Sequence, residues 1–418
     1  MINLGKLKKV GAIAGVDAVG KVISYIVLPY YLAKMPTSEF GEFSYLSGGI
    51  ASLSLLLSLY VFVPFIKIYT ESESTDQGDI IRSAFSFGFL WVVFLLIFLT
   101  ITKPLSENLF FSIFSVRDLR DSKYYLSAML VCTGIAMIYL QAYFIAIQST
   151  KGILIFTATK TFLTITTSVL FLRFPVVSFD TVVNRLIGNL GSEVVLLFFS
   201  VLFLFKGKII VGKIDRNSIR LLRLGMPLIP TGVISLYAAT FDKSLIANWH
   251  GLSDLACYNL ALQALTPIQM LMTGLQIIIA PTIFKTKVKE NALKEAKQTL
   301  LISGLAMLGT GGVIAVLMQA MVLFNMIPSA YSEVPKIIIL LTPGSTFSAL
   351  QHINNNIFTL IERPFIQLLV NTIAVMINCL LNILLVNQYS YYGASTALML
   401  SGLFSLLFGW SMIRKTVK

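Results

Sequence analysis

Charge is what this chain has least of. Only 12% of its 418 residues are Asp, Glu, Lys or Arg, against 56% hydrophobic, and the mean hydropathy is +0.83. An ordinary soluble domain carries about 25% charged residues. A soluble globule is therefore excluded, and an integral membrane protein remains. Cysteine is scarce as well: Cys132, Cys257 and Cys379 sit in or beside apolar segments with no CxxC or Cys/His spacing. That points to neither a disulfide framework nor a zinc site, and leaves them as small packing residues. Long polar stretches are missing too. The longest connections between apolar segments, 102 to 124 and 206 to 224, hold about twenty residues each, which leaves no room for a folded enzyme module outside the membrane. No GxxxxGK[ST] motif occurs, which argues against a self-contained ATP-driven pump. The first apolar segment is too long for a signal-peptide core and no A-x-A-like site follows it, so it is expected to stay in the mature protein.

What is present is a series of apolar windows of about 19 residues or more. Twelve are expected, at 10 to 33, 44 to 65, 84 to 101, 125 to 147, 152 to 172 and 181 to 205, then 225 to 248, 256 to 281, 299 to 324, 336 to 360, 365 to 386 and 391 to 413. The fold class expected is an all-α integral membrane protein of about twelve transmembrane helices, in two six-helix halves around a central polar cavity. The halves would be 1–205 and 225–418, joined by a basic cytoplasmic linker at 206–224. With the N-terminus cytoplasmic, 21 of the 32 Lys and Arg residues fall in inner segments and 7 in outer ones, and the other four lie inside spans. This bias places both termini in the cytoplasm. The linker KGKIIVGKIDRNSIRLLR reads as a topology anchor touching anionic lipid rather than as a nucleic-acid site.

An internal echo supports two halves. After span one comes SEFGEFSYL (38 to 46) and after span seven SDLACYNLA (253 to 261); at an offset of 215, Ser38, Glu39, Gly41 and Phe43 align with Ser253, Asp254, Ala256 and Tyr258. Six crossings per half is an even number, so the two repeats would share one orientation.

The informative residues are charges at membrane depth. Asp17 and Lys21 lie i,i+4 on span one, Lys160 on span five, Arg185 and Glu193 on span six, and Asp242 and Lys243 on span seven. Each costs about 2.5–3.5 kcal/mol at mid-bilayer on insertion scales, so each is expected to face protein or a polar cavity. The plainer reading is a set of internal salt bridges, such as Asp17 with Lys21 or Lys160 with Glu193. The sharper one is a cavity with a slight cationic excess, suited to an anionic solute. The second half is polar without charge: Asn259, Gln263 and Gln276 on span eight, SALQHINNN (348 to 356) on span ten, and Asn371, Asn378 and Asn382 on span eleven. Such amides serve as glue between helices or as partners for sugar hydroxyls. His352 is expected to be a hydrogen-bonded structural residue rather than a titrating one.

Together LPYYLAKMPTSEFGEFSYLSGGIASLSLLLSLY, the restart GMPLIPTGVISLYAATFDKSLIANW with SDLACYNLALQ, and the twelve-span layout resemble the O-antigen (polysaccharide) flippases of the multidrug/oligosaccharidyl-lipid/polysaccharide exporter superfamily. The resemblance implies a multi-pass bacterial inner-membrane protein, not an enzyme, that moves undecaprenyl-diphosphate-linked oligosaccharide between leaflets by alternating access. It implies a cationic lumen for the diphosphate, for which Lys21, Lys160, Arg185 and Lys243 are the candidates here, with Asp17, Glu193 and Asp242 interleaved. The implied partners are the lipid-linked oligosaccharide, membrane lipids and other polysaccharide-assembly membrane proteins, with no nucleic acid. No cofactor is implied, and ion-gradient coupling is left open with the ion undetermined. The rivals are a small-molecule or drug exporter of the same superfamily and a membrane polysaccharide polymerase or ligase. The latter resemble a pattern with one large periplasmic loop, which this chain lacks.

Overall fold

The computed structural model describes residues 20, 23–73, 76–103, 121–147, 149–177, 180–204, 215–272, 289–361 and 363–417. Every regular element among them is helical: α1 (23–34), α2 (Thr37–Leu57), α3 (Phe62–Glu71), α4 (Gln77–Ile101), α5 (Asp121–Ala146), α6 (Thr150–Arg173) and α7 (Thr181–Leu204). After these come α8 (Arg216–Gly225), α9 (Ile229–Trp249), α10 (Leu252–Ala264, followed by a helical stretch at 266–272), α11 (Lys289–Leu323), α12 (Val334–Leu360) and α13 (Pro364–Val417). Among the described residues, seven helices are long and apolar enough to cross a membrane. One of them, α13, is a pair of helices joined at Ser390, whose φ of 49° breaks the helical run. The chain divides into two compact units, Met1–Thr240 and Phe241–Lys418.

Apolar patterning decides which faces meet lipid and which meet protein. On α4, Phe94, Ile97, Phe98 and Ile101 recur at i, i+3, i+4 and i+7 and are exposed, the stripe expected of a lipid-facing side. On the inner side, Met137, Leu140 and Phe144 of α5 pack with Phe156 of α6 and Leu196 of α7, the Phe144 and Phe156 rings lying 5.5 Å apart. Small residues let backbones approach: a Cβ on Gly188 of α7 would stand 3.1 Å from the Ser168 Cα of α6. In the second unit a Cβ on Gly344 of α12 would stand 2.8 Å from the Met399 nitrogen of α13. Close crossings of this kind replace the hydrophobic drive that lipid removes.

Span two, expected over 44 to 65, is broken. The helix α2 starts at Thr37 and stops at Leu57, and α3 begins only at Phe62. Between them Leu59 and Tyr60 both take φ of 54°, a left-handed conformation that costs roughly 1–2 kcal/mol for each residue with a Cβ. The freed carbonyls are accounted for, as a buried helix end requires. Trp91 Nε1 donates to Leu57 O at 2.6 Å, and the Ser58 hydroxyl donates to Leu55 O at 2.6 Å. Hydropathy cannot see this break, because Leu59, Tyr60 and Val61 are apolar and keep the window average high.

The break is also where α8 docks. Gly225 ends α8 so close to the turn that a Cβ there would lie 2.6 Å from Leu59 O, a backbone atom with little freedom to give way. Gly225→Ala is therefore expected to destabilise by about 1–3 kcal/mol, the usual cost of overpacking. Gly309→Ala on α11, where nothing lies within 4 Å, should be neutral or mildly stabilising. Thermal unfolding of the two purified variants checks the contrast.

Asp215 caps the start of α8. Its carboxylate accepts from Ser218 N at 2.8 Å and from the Ser83 hydroxyl of α4 at 2.6 Å. Burial pushes this carboxyl up, but the hydrogen bonds from Ser83 and Ser218 outweigh it and hold the group below the ordinary aspartate value. The helix is thereby tied to α4 at its first residue and to the span-two break at its last.

Candidate functional site

In the first unit, α2, α5, α6 and α7 enclose a cavity of about 240 Å³. Its walls include Ser47 and Ser54 of α2, Gly134 of α5, Lys160 and Thr164 of α6, and Asn189, Ser192 and Glu193 of α7. The spacing of these residues explains their meeting: 160 and 164 share one face of α6, and 189, 192 and 193 one face of α7. Gly134 makes room for the close approach of α5 to α2, since a Cβ there would lie 2.5 Å from Ser54 Oγ.

Most polar groups here have partners. The Thr133 hydroxyl donates to a Glu193 carboxylate oxygen. Ser168 Oγ donates to Asn189 Oδ1 at 3.1 Å, and the Thr164 and Ser192 hydroxyls lie 3.2 Å apart. Lys160 differs from them. It is half-buried, lines the cavity, and among the described residues has no hydrogen-bond or ion-pair partner. The expected alternative of a Lys160–Glu193 bridge is not formed in this structure, because Glu193 is turned to Thr133. The cavity thus presents one ammonium whose donors are available.

The other sequence candidates are distributed differently. Asp17 and Lys21 lie outside the described residues. Arg185 is not on the cavity wall. Its guanidinium carbon lies 4.1 Å from the Tyr31 ring centroid and 3.9 Å from that of Phe43, and Nη1 reaches Met35 Sδ at 3.5 Å. A guanidinium between two ring faces is a cation–π sandwich, which stabilises the charge without water. Asp242 accepts from the Tyr258 hydroxyl at 2.5 Å and from the backbone N–H of Lys243 at 2.8 Å, in the second unit. The structure therefore brings Lys160 and Glu193 to one cavity and places Arg185, Asp242 and Lys243 elsewhere.

Sequence reasoning missed a buried ionic cluster at one end of the first unit. Lys123, in the connection 102 to 124 that the charge count expects on the outer side, is only 8% exposed. Its Nζ lies 2.7 Å from Glu42 Oε1 and 3.3 Å from Asp180 Oδ2. Beside it, Thr181 donates both its hydroxyl and its backbone N–H to Glu39. The acids come from the first turns of α2 and from the residue before α7, where the positive end of the helix dipole favours them. The same pairing recurs in the second unit: Asp254, which the 215 offset aligns with Glu39, accepts from Ser390 Oγ at 2.6 Å. The clue was SEFGEF itself, whose two acids three apart share a helix face.

The amides of the second unit bond across helices. Asn354 Nδ2 donates to Gln351 Oε1 at 2.9 Å and to Leu406 O at 3.1 Å, and Asn378 Nδ2 donates to Ser401 Oγ at 3.0 Å. His352 is exposed.

A family described as polysaccharide biosynthesis protein matches residues 6–287. Among solved structures, a lipid II flippase MurJ in an inward closed conformation is similar over 96% of this chain and 88% of its own, with TM-score 0.72 and 16% identity. An inward-facing multidrug resistance MATE transporter of the MOP superfamily is similar over 95% of each chain, with TM-score 0.68 and 12% identity. A MOP superfamily transporter from Pyrococcus furiosus, described as having a binding pocket of reversed polarity, is similar over 99% and 96%, with TM-score 0.56 and 14% identity. No curated protein matches the chain. At these identities the likeness is one of fold, that of a multi-pass transporter of about twelve spans.

Proposed function

Since the chain belongs to the polysaccharide biosynthesis protein family, we propose that it is a flippase for undecaprenyl-diphosphate-linked oligosaccharide, an O-antigen or related repeat unit, in the bacterial inner membrane. The observation that carries this reading is Lys160, an ammonium with no hydrogen bond or ion pair among the described residues, on the wall of a polar cavity within an apolar helix bundle. A lipid-linked sugar has three parts with different needs. The polyprenyl tail can stay in lipid, the sugars need water or amides, and only the diphosphate needs compensating charge inside the protein. One lysine acting as a point charge meets that need. Similarity to a lipid II flippase supports the same substrate class.

The drug-exporter reading has its own support in the similarity to multidrug transporters. What supports the anionic substrate over the cationic one is that the cavity's carboxylate already accepts from Thr133 while its ammonium makes no hydrogen bond among the described residues. Both termini and the 206–224 linker would be cytoplasmic, with substrate loaded from the inner leaflet. Expression in a bacterium lacking its own repeat-unit flippase tests the proposal. Surface polysaccharide should return, and the lipid-linked intermediate should cease to accumulate. Continued accumulation at normal membrane abundance would count against it.

A further inference from the structure

The helix α8 has three faces of different chemistry. Ser218, Leu221 and Gly225 are buried against the rest of the first unit, Leu221 at 1% exposure. Arg216, Arg220 and Arg223, at i, i+4 and i+7, form an exposed cationic stripe with no partner among the described residues. Between them Ile219 is 59% exposed and Leu224 49%, followed by Met226 at 53%. Large apolar side chains alternating with unpaired arginines fit neither water nor hydrocarbon alone. They fit the boundary between the two, where the stems and apolar groups enter lipid and the guanidinium groups meet phosphates.

The position of the helix supports this. It joins α7 to α9, and its buried side is fixed. Ser218 Oγ donates to Ser83 O at 3.1 Å, Asp215 is bonded to Ser83, and Gly225 abuts Leu59 O. The stripe is therefore held in place by the first unit itself.

We propose that α8 is a binding site for anionic phospholipid, with Arg216, Arg220 and Arg223 gathering headgroup phosphates and Ile219 and Leu224, which flank the stripe on either side, together with Met226, in contact with acyl chains. The site lies on the protein's outside, apart from the Lys160 cavity, and it does not depend on which solute is transported. Basic side chains near an anionic leaflet each add attraction for its headgroups, so three together select phosphatidylglycerol over phosphatidylcholine by an order of magnitude or more.

The test uses the full chain with Cys132, Cys257 and Cys379 replaced by serine, Leu224→Cys carrying a fluorophore, and vesicles of phosphatidylcholine with a minor share of phosphatidylglycerol. One lipid or the other carries brominated acyl chains, which quench on contact. Brominated phosphatidylglycerol should quench severalfold more than brominated phosphatidylcholine at equal mole fraction. Arg216→Gln, Arg220→Gln and Arg223→Gln together should remove the difference, and the three lysine substitutions should keep most of it. Equal quenching by both lipids in the parent protein would overturn the proposal. So would no quenching by either, which would mean that water or a partner protein covers the helix. Preference persisting in the triple glutamine variant would overturn it as well.

Discussion

Lys160→Gln is expected to lose most transport at normal membrane abundance, by roughly 10- to 100-fold, whereas Lys160→Arg should keep part of it. The size follows from the chemistry. A hydrogen bond to a charged group contributes about 1.5–3 kcal/mol, and each 1.4 kcal/mol is about tenfold. Glutamine keeps much of the length without the charge, and arginine keeps the charge in a bulkier planar form. Lys160 makes no hydrogen bond or ion pair among the described residues, but its charge acts on the buried Glu193 across the cavity, so its removal should cost some stability, and transport is compared at equal membrane abundance. The exchange Lys160→Glu with Glu193→Lys distinguishes scaffold from substrate contact. With Glu193 bonded to Thr133 rather than to Lys160, the exchange should not restore transport. Rescue would assign the pair to the scaffold.

Lys123→Ala is expected to act oppositely, on folding before transport. Its ammonium lies between Glu42 and Asp180 with all three side chains 10–12% exposed. Removing one member of such a buried group leaves uncompensated charge and costs about 3–5 kcal/mol. That is a large share of the ~5–15 kcal/mol of stability typical of a protein. Abundance of Lys123→Ala should drop sharply. Replacing Lys123 with Met together with Glu42→Gln should recover much of it, since fewer charges are then left unpaired. Quantitative immunoblotting of membrane fractions, with thermal unfolding of whatever can be purified, measures both.

These two lysines show what was legible in the sequence and what was not. Lys160 stood out because a cation within an apolar window is costly wherever it points. Helical spacing puts Lys160 with Thr164 on one face of α6 and Asn189 with Glu193 on one face of α7, but that the two faces meet at one cavity is seen only in the structure. That Thr133, on a third helix, would take Glu193 did not follow, because spacing within one helix is silent about its neighbours. Lys123 was hidden for the same reason. It looked like an ordinary loop charge until Glu42 and Asp180, 81 and 57 positions away, closed around it. The guanidinium of Arg185 lies between the rings of Tyr31 and Phe43, which composition counts only as apolar, so spacing gives no sign of that contact. The helix count and the all-α class were readable because hydropathy averages over some twenty residues. That same averaging concealed the turn at Leu59 and Tyr60.

The central claim is that the chain moves a lipid-linked oligosaccharide with Lys160 in contact with the diphosphate. Purified protein in vesicles containing labelled undecaprenyl-diphosphate-linked oligosaccharide, probed with a membrane-impermeant glycosidase, measures how fast sugar reaches the opposite leaflet. The account predicts that wild-type protein exposes the sugar far faster than protein-free vesicles, and that Lys160→Gln slows this by roughly 10- to 100-fold at equal incorporation. Sugar crossing no faster than in protein-free vesicles, while a cationic drug is carried across, would contradict it.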